Sequence, residues 1–321
     1  MAGSWASKAA YPGAGQDGGI SFAIVIDEKG YFGTGQGLAG LQKDFWQYAP
    51  VTNSWTQKAD FGGTVKFHAC GIAFGGKGYV GLGYDGASAS KDWWEYNYTL
   101  NSWTQKTDFG GVIRENAFAF AIGNKGYVGC GTWTGQYVDV WEYDPIFNGD
   151  GWIQKADFPG SARNGFATFV IDSLGYVVCG FHPFVSPYFF KETWQYNPST
   201  NSWVQKADFG GVARESARGF AINGKGYCGL GNPGYEPLPV DFWEYDPVGN
   251  SWTQDTDFPG AGRTIPAAFA EIAGKGYMGI GANPGPPEFY TDFYEFTPGA
   301  APTPPWGDGF GSIGFLGGKI R

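Results

Sequence analysis

The sequence predicts an all-β protein, a six-bladed β-propeller of four-stranded antiparallel blades. Three observations support this: a phrase that recurs every 48 to 51 residues, an abundance of glycine together with aromatic residues, and the lack of a sustained helical period. The 55 glycines and 20 prolines in 321 residues favour turns, whereas aromatic residues at 19% argue against disorder. Short aromatic-rich strands joined by tight turns account for both features.

Each repeat contains four strand-like segments. In the fifth copy these are "WVQKADF", "RESARGFAI", "YCGLG" and "DFWEYDP", each bounded by Gly, Pro, Asn or Asp. Four short strands per period of about 50 residues are typical of a propeller blade, whose aromatic side chains must be buried against neighbouring blades. The tryptophans that open the six copies are Trp5, Trp55, Trp103, Trp152, Trp203 and Trp252.

The order of the strands predicts how the ring closes. The chain begins on a tryptophan strand (residues 4–11), and its repeats end on "DFYEFTP" (residues 292–298). We therefore expect the N-terminal strand to pair with 292–298 and complete the last blade, which also removes a free sheet edge. The predicted organisation is a propeller over residues 1–298, followed by a Pro/Gly-rich linker and apolar tail over 299–321.

Composition argues against several function classes. The net charge is −9 without any basic run, so nucleic acid is not an expected partner. No apolar stretch is long enough to span a membrane. The first residues lack the apolar core of a signal peptide, so either the protein is not exported by that route or a signal has been removed. The four cysteines lie far apart without a C-x-x-C pair and are expected to be small buried hydrophobes, with Cys130 and Cys179 on neighbouring blades.

Over residues 5–298 the repeats resemble kelch repeats of the galactose oxidase central-domain superfamily, in particular the bacterial "GKGYVG…DFWEYDP" type. A tyrosine–proline turn, the tryptophan that follows it and the glycines after the second strand carry this resemblance; the glycines are in "GTG" 33–35, "GLG" 81–83, "GCG" 129–131, "VCG" 178–180, "GLG" 229–231 and "GIG" 279–281. The chain differs from the family in having G-x-G where a double glycine is usual. The resemblance implies the propeller fold but no particular function.

Alternating strand direction sorts the turns onto two faces. The "GKG" and "NSW" turns lie on one, which we call the constant face because these turns vary little among repeats. The loops between second and third strands and the connections into each innermost strand lie on the other, the variable face. A cation recurs on this face, five residues after the aromatic residue of each "DF", with Gln16 at that position in the first blade. These cations are Lys66, Arg114, Arg163, Arg214 and Arg263.

We expect the five cations to ring one mouth of the central channel. In some kelch proteins an arginine at this place contacts an acidic peptide, so the resemblance implies an anion site here. A guanidinium is well suited to bidentate binding of a carboxylate. The alternative is a structural role in every blade but the first, in which the cations bind loop carbonyls, Glu115 or Glu215, or the acid that precedes each W-E-Y strand. Those acids are Asp44, Asp92, Asp139, Glu192, Asp241 and Asp292.

The loops after G-x-G differ from copy to copy, and those of blades 4 to 6 are the longest and richest in proline. Aromatic residues on proline-containing loops favour contact surfaces of low entropic cost. We therefore predict a partner-binding surface here, with loops that merely drape over the blade edges as the alternative. The candidate residues are His182, Phe184, Tyr188, Tyr235, Phe289 and Tyr290 of these loops, together with Trp133 of the blade 3 loop.

Catalytic motifs are sparse. The two histidines, His68 and His182, match neither the copper site of galactose oxidase nor a nucleophile motif, and no metal or cofactor is predicted. A six-bladed sialic acid epimerase is the enzymatic alternative, in which Arg218 and Glu271 on inner strands would serve as polar or acid–base groups.

The apolar tail is interpreted either as a strap against the propeller or as an attachment peptide. The sequence favours a non-catalytic binding or assembly module within a larger cell-surface or virus-particle structure, with a protein partner and a carbohydrate ligand as the alternative. The tail residues concerned are Phe310, Ile313, Phe315, Leu316 and Ile320.

Overall fold

The computed structural model describes residues 2–13, 20–37, 40–146, 151–264, 266–283 and 289–299; of residues 20 and 267–270 only the backbone is described. These residues form 24 strands in six four-stranded antiparallel sheets. The predicted fold class is confirmed. Among the described residues no helix is long and apolar enough to cross a bilayer.

Each sheet is one blade, and its first strand is the innermost. Blade 1 contains β2 (Ile20–Ile26), β3 (Lys29–Gly37), β4 (Gly40–Ala49) and β5 (Ser54–Gln57). Blade 2 contains β6 (Cys70–Phe74), β7 (Lys77–Gly81), β8 (Trp93–Asn97) and β9 (Ser102–Lys106). Blade 3 contains β10 (Phe118–Ile122), β11 (Lys125–Gly129), β12 (Val140–Asp144) and β13 (Gly151–Lys155). Blade 4 contains β14 (Ala167–Ile171), β15 (Leu174–Val178), β16 (Thr193–Asn197) and β17 (Ser202–Lys206). Blade 5 contains β18 (Arg218–Ile222), β19 (Lys225–Gly229), β20 (Phe242–Asp246) and β21 (Ser251–Gln254). Blade 6 contains β22 (Ala267–Ile272), β23 (Lys275–Ala282), β24 (Phe289–Thr297) and the N-terminal β1 (Ser4–Lys8).

The N-terminal strand closes the ring as predicted. β1 pairs antiparallel with β24, so that Trp5 is opposite Phe296 and Lys8 is opposite Phe293. The Trp5 indole packs on Phe296 and, in blade 5, on Phe242, with ring centroids 4.9 and 5.0 Å apart. Closure therefore pairs the edge of β24 and buries an aromatic cluster at the same time.

A latch on the constant face explains why the Tyr…Asn-Ser-Trp phrase recurs. In blade 4, Asn201 adopts a positive φ of 48°, and its Oδ1 accepts a hydrogen bond from the Tyr196 hydroxyl at 2.9 Å. The same oxygen accepts the backbone N–H of Ala156 in blade 3, also at 2.9 Å. The next tryptophan, Trp203, donates its indole N–H to the Ala156 carbonyl at 3.1 Å. One turn thus binds its own blade to the preceding one.

The apolar core lies between adjacent sheets, and small residues line the channel. Inner strands alternate, with a large side chain such as Phe120 buried towards a neighbouring blade. The positions between them face the lumen and are small, as Ala73, Ala121 and Ala221 show. This alternation leaves a central cavity of about 310 Å³. Its mouth on the variable face is where the inner strands begin, and that end holds the polar residues.

Candidate functional site

The five recurrent cations are fully buried. Lys66 and the four arginines at that position have 0% relative exposure, so they do not ring an open channel mouth as expected. They lie beneath the loops of the variable face, one in each of blades 2 to 6. The physical reason is that each cation forms an ion pair with an acid of its own blade. This is the structural role that the repeat pattern left open as the alternative.

Arg214 shows the arrangement. Its Nη1 and Nη2 donate to Oδ1 and Oδ2 of Asp241 at 2.6 and 2.8 Å. Its Nε donates to the Val212 carbonyl at 3.0 Å, and Nη1 also donates to the Leu230 carbonyl at 3.1 Å. The ring of Phe209 lies 5.0 Å from the guanidinium. Equivalent pairs are Lys66–Asp92, Arg114–Asp139, Arg163–Glu192 and Arg263–Asp292.

The acid of the Arg114 pair, Asp139, is held in its charged form. Burial alone would raise the pKa of Asp139, but hydrogen bonds from Arg114 and from the Trp141 indole outweigh it and hold that pKa below its usual range. The Arg214 guanidinium has few free donors for a ligand, because four of its N–H groups are directed at a carboxylate and two carbonyls. The geometry is therefore that of an internal staple between the loops of a blade.

The G-x-G motif is part of the same staple. In blade 5 the middle residue, Leu230, has a positive φ of 57°, which turns its carbonyl towards Arg214. The glycine that follows it, Gly231, has a φ of 95° and donates its N–H to the Arg263 carbonyl of blade 6 at 3.1 Å. A Cβ on Gly231 would lie 2.5 Å from the Glu215 carbonyl oxygen, so only glycine fits. The second glycine of the G-x-G motif thus has a structural cause.

Some of the predicted loop aromatics form an exposed patch. Phe184, Tyr188 and Tyr235 are 84%, 52% and 58% exposed, and Val185, which sequence reasoning missed, is 47% exposed. Their two loops contact each other at Gly234, which lies against the Phe189 ring. The contact is so close that a Cβ added to Gly234 would lie 2.5 Å from that ring. We call Phe184, Val185, Tyr188 and Tyr235 the aromatic loop patch.

The loop that carries most of this patch is internally bonded. The His182 backbone N–H donates to the Tyr188 carbonyl at 2.9 Å, and the His182 Nδ1 accepts the Phe184 N–H at 3.1 Å. Phe181 and Phe189 pack with ring centroids 5.0 Å apart beneath the exposed residues. His182 therefore shapes the loop, and the patch is presented on an ordered base.

The other predicted residues do not join the patch. Trp133 is partly buried against Tyr84, with ring centroids 5.8 Å apart. Phe289 and Tyr290 are partly buried at the start of β24, and the Tyr290 ring covers the Arg263 guanidinium at 4.4 Å. The expectation that both are exposed loop residues was wrong. The tail residues Phe310, Ile313, Phe315, Leu316 and Ile320 lie outside the described residues.

The variable-face mouth of the channel holds the remaining polar groups. A cavity of about 120 Å³ there is lined by Arg218, His68, Asn116 and Thr168 among others. His68 Nδ1 lies 2.8 Å from Oε2 of Glu115. Glu271 is exposed at the other end of its strand, where it accepts the Gly274 N–H at 3.0 Å, so it does not meet Arg218 at this mouth.

The cysteines and metal-ligating groups add no chemistry to this mouth. All four cysteines are free and buried, and burial raises the pKa of the Cys70 thiol to about 12. Thiols in that state are weak nucleophiles at neutral pH. Over the part of the chain that the structure describes, no three His, Cys, Asp or Glu side chains come together as metal ligands.

These features define the molecule as a six-bladed β-propeller. Comparison with solved structures agrees: the one titled "Structure of YjhT" is similar with a TM-score of 0.72 at 15% identity, covering 90% of this chain and 97% of that one. At that identity the similarity shows the fold alone. No protein-family model and no curated protein matches the chain, so the resemblance to kelch repeats remains a prediction from its motifs.

Proposed function

We propose that this propeller is a non-catalytic binding and assembly module that contacts a protein partner through the aromatic loop patch. The observation that carries the proposal is the exposure of Phe184, Tyr188 and Tyr235 on two contacting loops of the face where the repeats differ. Exposing aromatic rings to water costs free energy that a partner would recover. Aromatic anchors also dominate the binding free energy of protein interfaces.

The ordered base under the patch supports a role in recognition. The His182–Tyr188 backbone bond and the Phe181–Phe189 contact hold the loop in one conformation, which lowers the entropy lost on binding. A protein surface is the partner class that matches large exposed rings without a cleft between them. A carbohydrate is the alternative ligand, because sugars also stack on aromatic rings.

A pair of matched triple variants tests the proposal. Phe184→Ser, Tyr188→Ser and Tyr235→Ser together remove the rings of the patch. The control removes three highly exposed apolar side chains from constant-face turns, which are Val51 at 99%, Leu100 at 72% and Val248 at 94% exposure. Both sets lie at the surface, so both variants should keep the wild-type melting temperature.

The readout is affinity for a partner captured from source-organism extract and then purified for calorimetry. We expect the patch variant to lose about 30-fold or more in affinity, which corresponds to about 2 kcal/mol, and the control to bind as the wild type does. A partner that binds the patch variant normally would overturn the proposal. Binding to a glycan array, lost in the patch variant, would assign the surface to carbohydrate instead.

Assembly through the tail has a separate test. Light scattering gives the mass of the full chain and of residues 1–298 in solution. A defined oligomer of the full chain that becomes monomeric on truncation would support an assembly role for 299–321. Equal masses would leave only the patch as the contact surface and would contradict the assembly part of the proposal.

A further inference from the structure

Arg218 departs from the repeat at an inner-strand position that is buried in blades 2 to 4, and it is itself partly buried. It is the first residue of β18 and stands four residues after the stapling cation Arg214. The residues at the same place in blades 2 to 4 are small or apolar and buried, with Cys70 at 6%, Phe118 at 3% and Ala167 at 1% exposure. A guanidinium therefore occupies a site that the fold fills with apolar side chains elsewhere.

The Arg218 guanidinium has almost no partner. Its one hydrogen bond to described residues runs from Nη1 to the Ala217 carbonyl at 3.3 Å. No carboxylate of the described residues pairs with it, and desolvation lowers its pKa to about 10. The stapling cation in the same blade, Arg214, instead has a bidentate carboxylate. A charge that is partly removed from bulk water and has no counter-ion among the described residues is costly, so an anion at Arg218 would relieve that cost.

The cavity next to Arg218 has the size for a small anion. It measures about 120 Å³, and Asn116, Ser21 and Thr168 contribute polar atoms to its wall. The two hydroxyls donate to backbone carbonyls, Ser21 to that of Lys66 at 3.3 Å and Thr168 to that of Ala119 at 3.1 Å, so the donors for an anion are the Arg218 guanidinium and the Asn116 amide. Beside it, small residues such as Ala23 and Ala73 line the wider lumen, which admits water-sized or slightly larger molecules.

The acids near this mouth are already occupied. Glu115 pairs with His68, and Glu215 accepts a hydrogen bond from the Asn232 amide at 3.3 Å. Glu215 makes no ion pair with Arg218, and burial raises the pKa of Glu215. The positive charge of Arg218 is thus left for a ligand.

We propose that Arg218 binds the carboxylate of a small ligand in the cavity at the variable-face mouth of the channel. The site is separate from the aromatic loop patch and does not depend on the function proposed above. Two sources share this chemistry: a free small monocarboxylate, or an acidic side chain of a peptide that reaches into the mouth. A guanidinium accommodates either by two parallel N–H···O bonds.

Arginine-selective NMR tests the site directly. The chain has only six arginines, so ¹⁵N-arginine labelling gives a simple Nε–Hε spectrum in which the missing signal of Arg218→Met assigns Arg218. We expect sodium acetate to shift the Arg218 signal in a saturable way and to leave the stapled Arg214 signal in place. Sodium chloride at equal ionic strength controls for screening. An acetylated Gly-Glu-Gly amide, compared with its Gly-Gln-Gly counterpart, tests the peptide source.

Thermal unfolding supplies a second readout that a merely structural arginine would not give. In acetate-free buffer we expect Arg218→Met to melt at or above the wild-type temperature, because it removes an uncompensated charge and keeps an apolar side chain. Acetate should raise the wild-type melting temperature by about 2 °C or more and leave the variant unchanged. The matched variant Arg214→Met should melt well below the wild type with or without acetate. An unmoved Arg218 signal with both acetate and the peptide, or an Arg218→Met loss as large as that of Arg214→Met, would overturn the proposal.

Discussion

Arg214 and Asp241 form a two-bonded ion pair inside blade 5, with Nη1–Oδ1 and Nη2–Oδ2 distances of 2.6 and 2.8 Å. The two residues belong to different loops of the variable face, the connection into β18 and the loop before β20. Asp241 also accepts the Trp243 indole N–H at 2.8 Å. The pair therefore joins the inner and outer halves of the blade and recurs, with variation, from blade 2 to blade 6.

Breaking this pair should destabilise the fold strongly. Arg214→Met leaves the Asp241 carboxylate without its counter-ion, and we expect a loss of about 3–5 kcal/mol in the free energy of unfolding. Urea unfolding monitored by tryptophan fluorescence measures the loss. Lys191→Met, which removes an exposed cation from a neighbouring loop, is the control and should change stability by less than about 0.5 kcal/mol. An Arg214→Met protein as stable as the control would show that the staple contributes nothing.

The asparagine latch gives a graded prediction. Asn201→Ala removes the acceptor for both Tyr196 and Ala156 and places a Cβ-bearing residue without a local hydrogen bond at φ 48°, so it should cost about 1–2 kcal/mol. Asn201→Gly loses the same bonds without the backbone strain and should cost less. Thermal unfolding compares the two variants with Ser199→Ala, an exposed change in the same turn. Equal losses for Ala and Gly would mean that the backbone conformation carries no penalty.

Acid stability should depend on Glu295, which joins the closing strand β1 to the other strands of blade 6. Burial alone would raise the pKa of Glu295, but hydrogen bonds from Lys275 at 2.6 Å, Tyr277 at 2.7 Å and Lys8 at 3.0 Å outweigh it and lower that pKa. A carboxyl with a lowered folded pKa stabilises the protein above its unfolded value of about 4.3, and this contribution disappears as the pH falls through the folded pKa.

The measurement for this prediction is the free energy of unfolding from pH 7 to pH 3. We expect Glu295→Gln to be less stable than the wild type at pH 7 and the gap to close as the pH falls below about 4. Glu28→Gln, which changes an exposed carboxyl, serves as the reference. A gap of constant size over the whole range would contradict the linkage between Glu295 ionisation and folding.

Repetition in the sequence was enough to predict the blade, the number of blades and their closure. Six tryptophans at a regular spacing require six equivalent environments, and a first strand without a sheet of its own must pair with the strand that lacks a neighbour. The pairing of Trp5 with Phe296 confirms this argument. The blade, the number of blades and the closure follow from local sequence pattern and chain order, so the sequence alone was sufficient to predict them.

The burial of the cations and the grouping of the loop aromatics needed the tertiary structure. The sequence showed that Arg214 and Asp241 recur, but whether a guanidinium faces the channel or its own blade depends on the distance between two loops 27 residues apart. Tyr290 and Phe184 look alike as loop aromatics, yet one lies partly buried over an arginine and the other is solvent-exposed.

Arg218 is a further residue whose position followed from the sequence but whose contacts needed the structure. Its place on an inner strand was evident from the repeat, whereas the lack of a counter-ion among the described residues appeared only once neighbouring blades were in place. The sequence by itself determined the fold, because periodic burial sets which residues must be inside. Only the packed ring decided which charges are satisfied, because that depends on side chains brought together from distant segments.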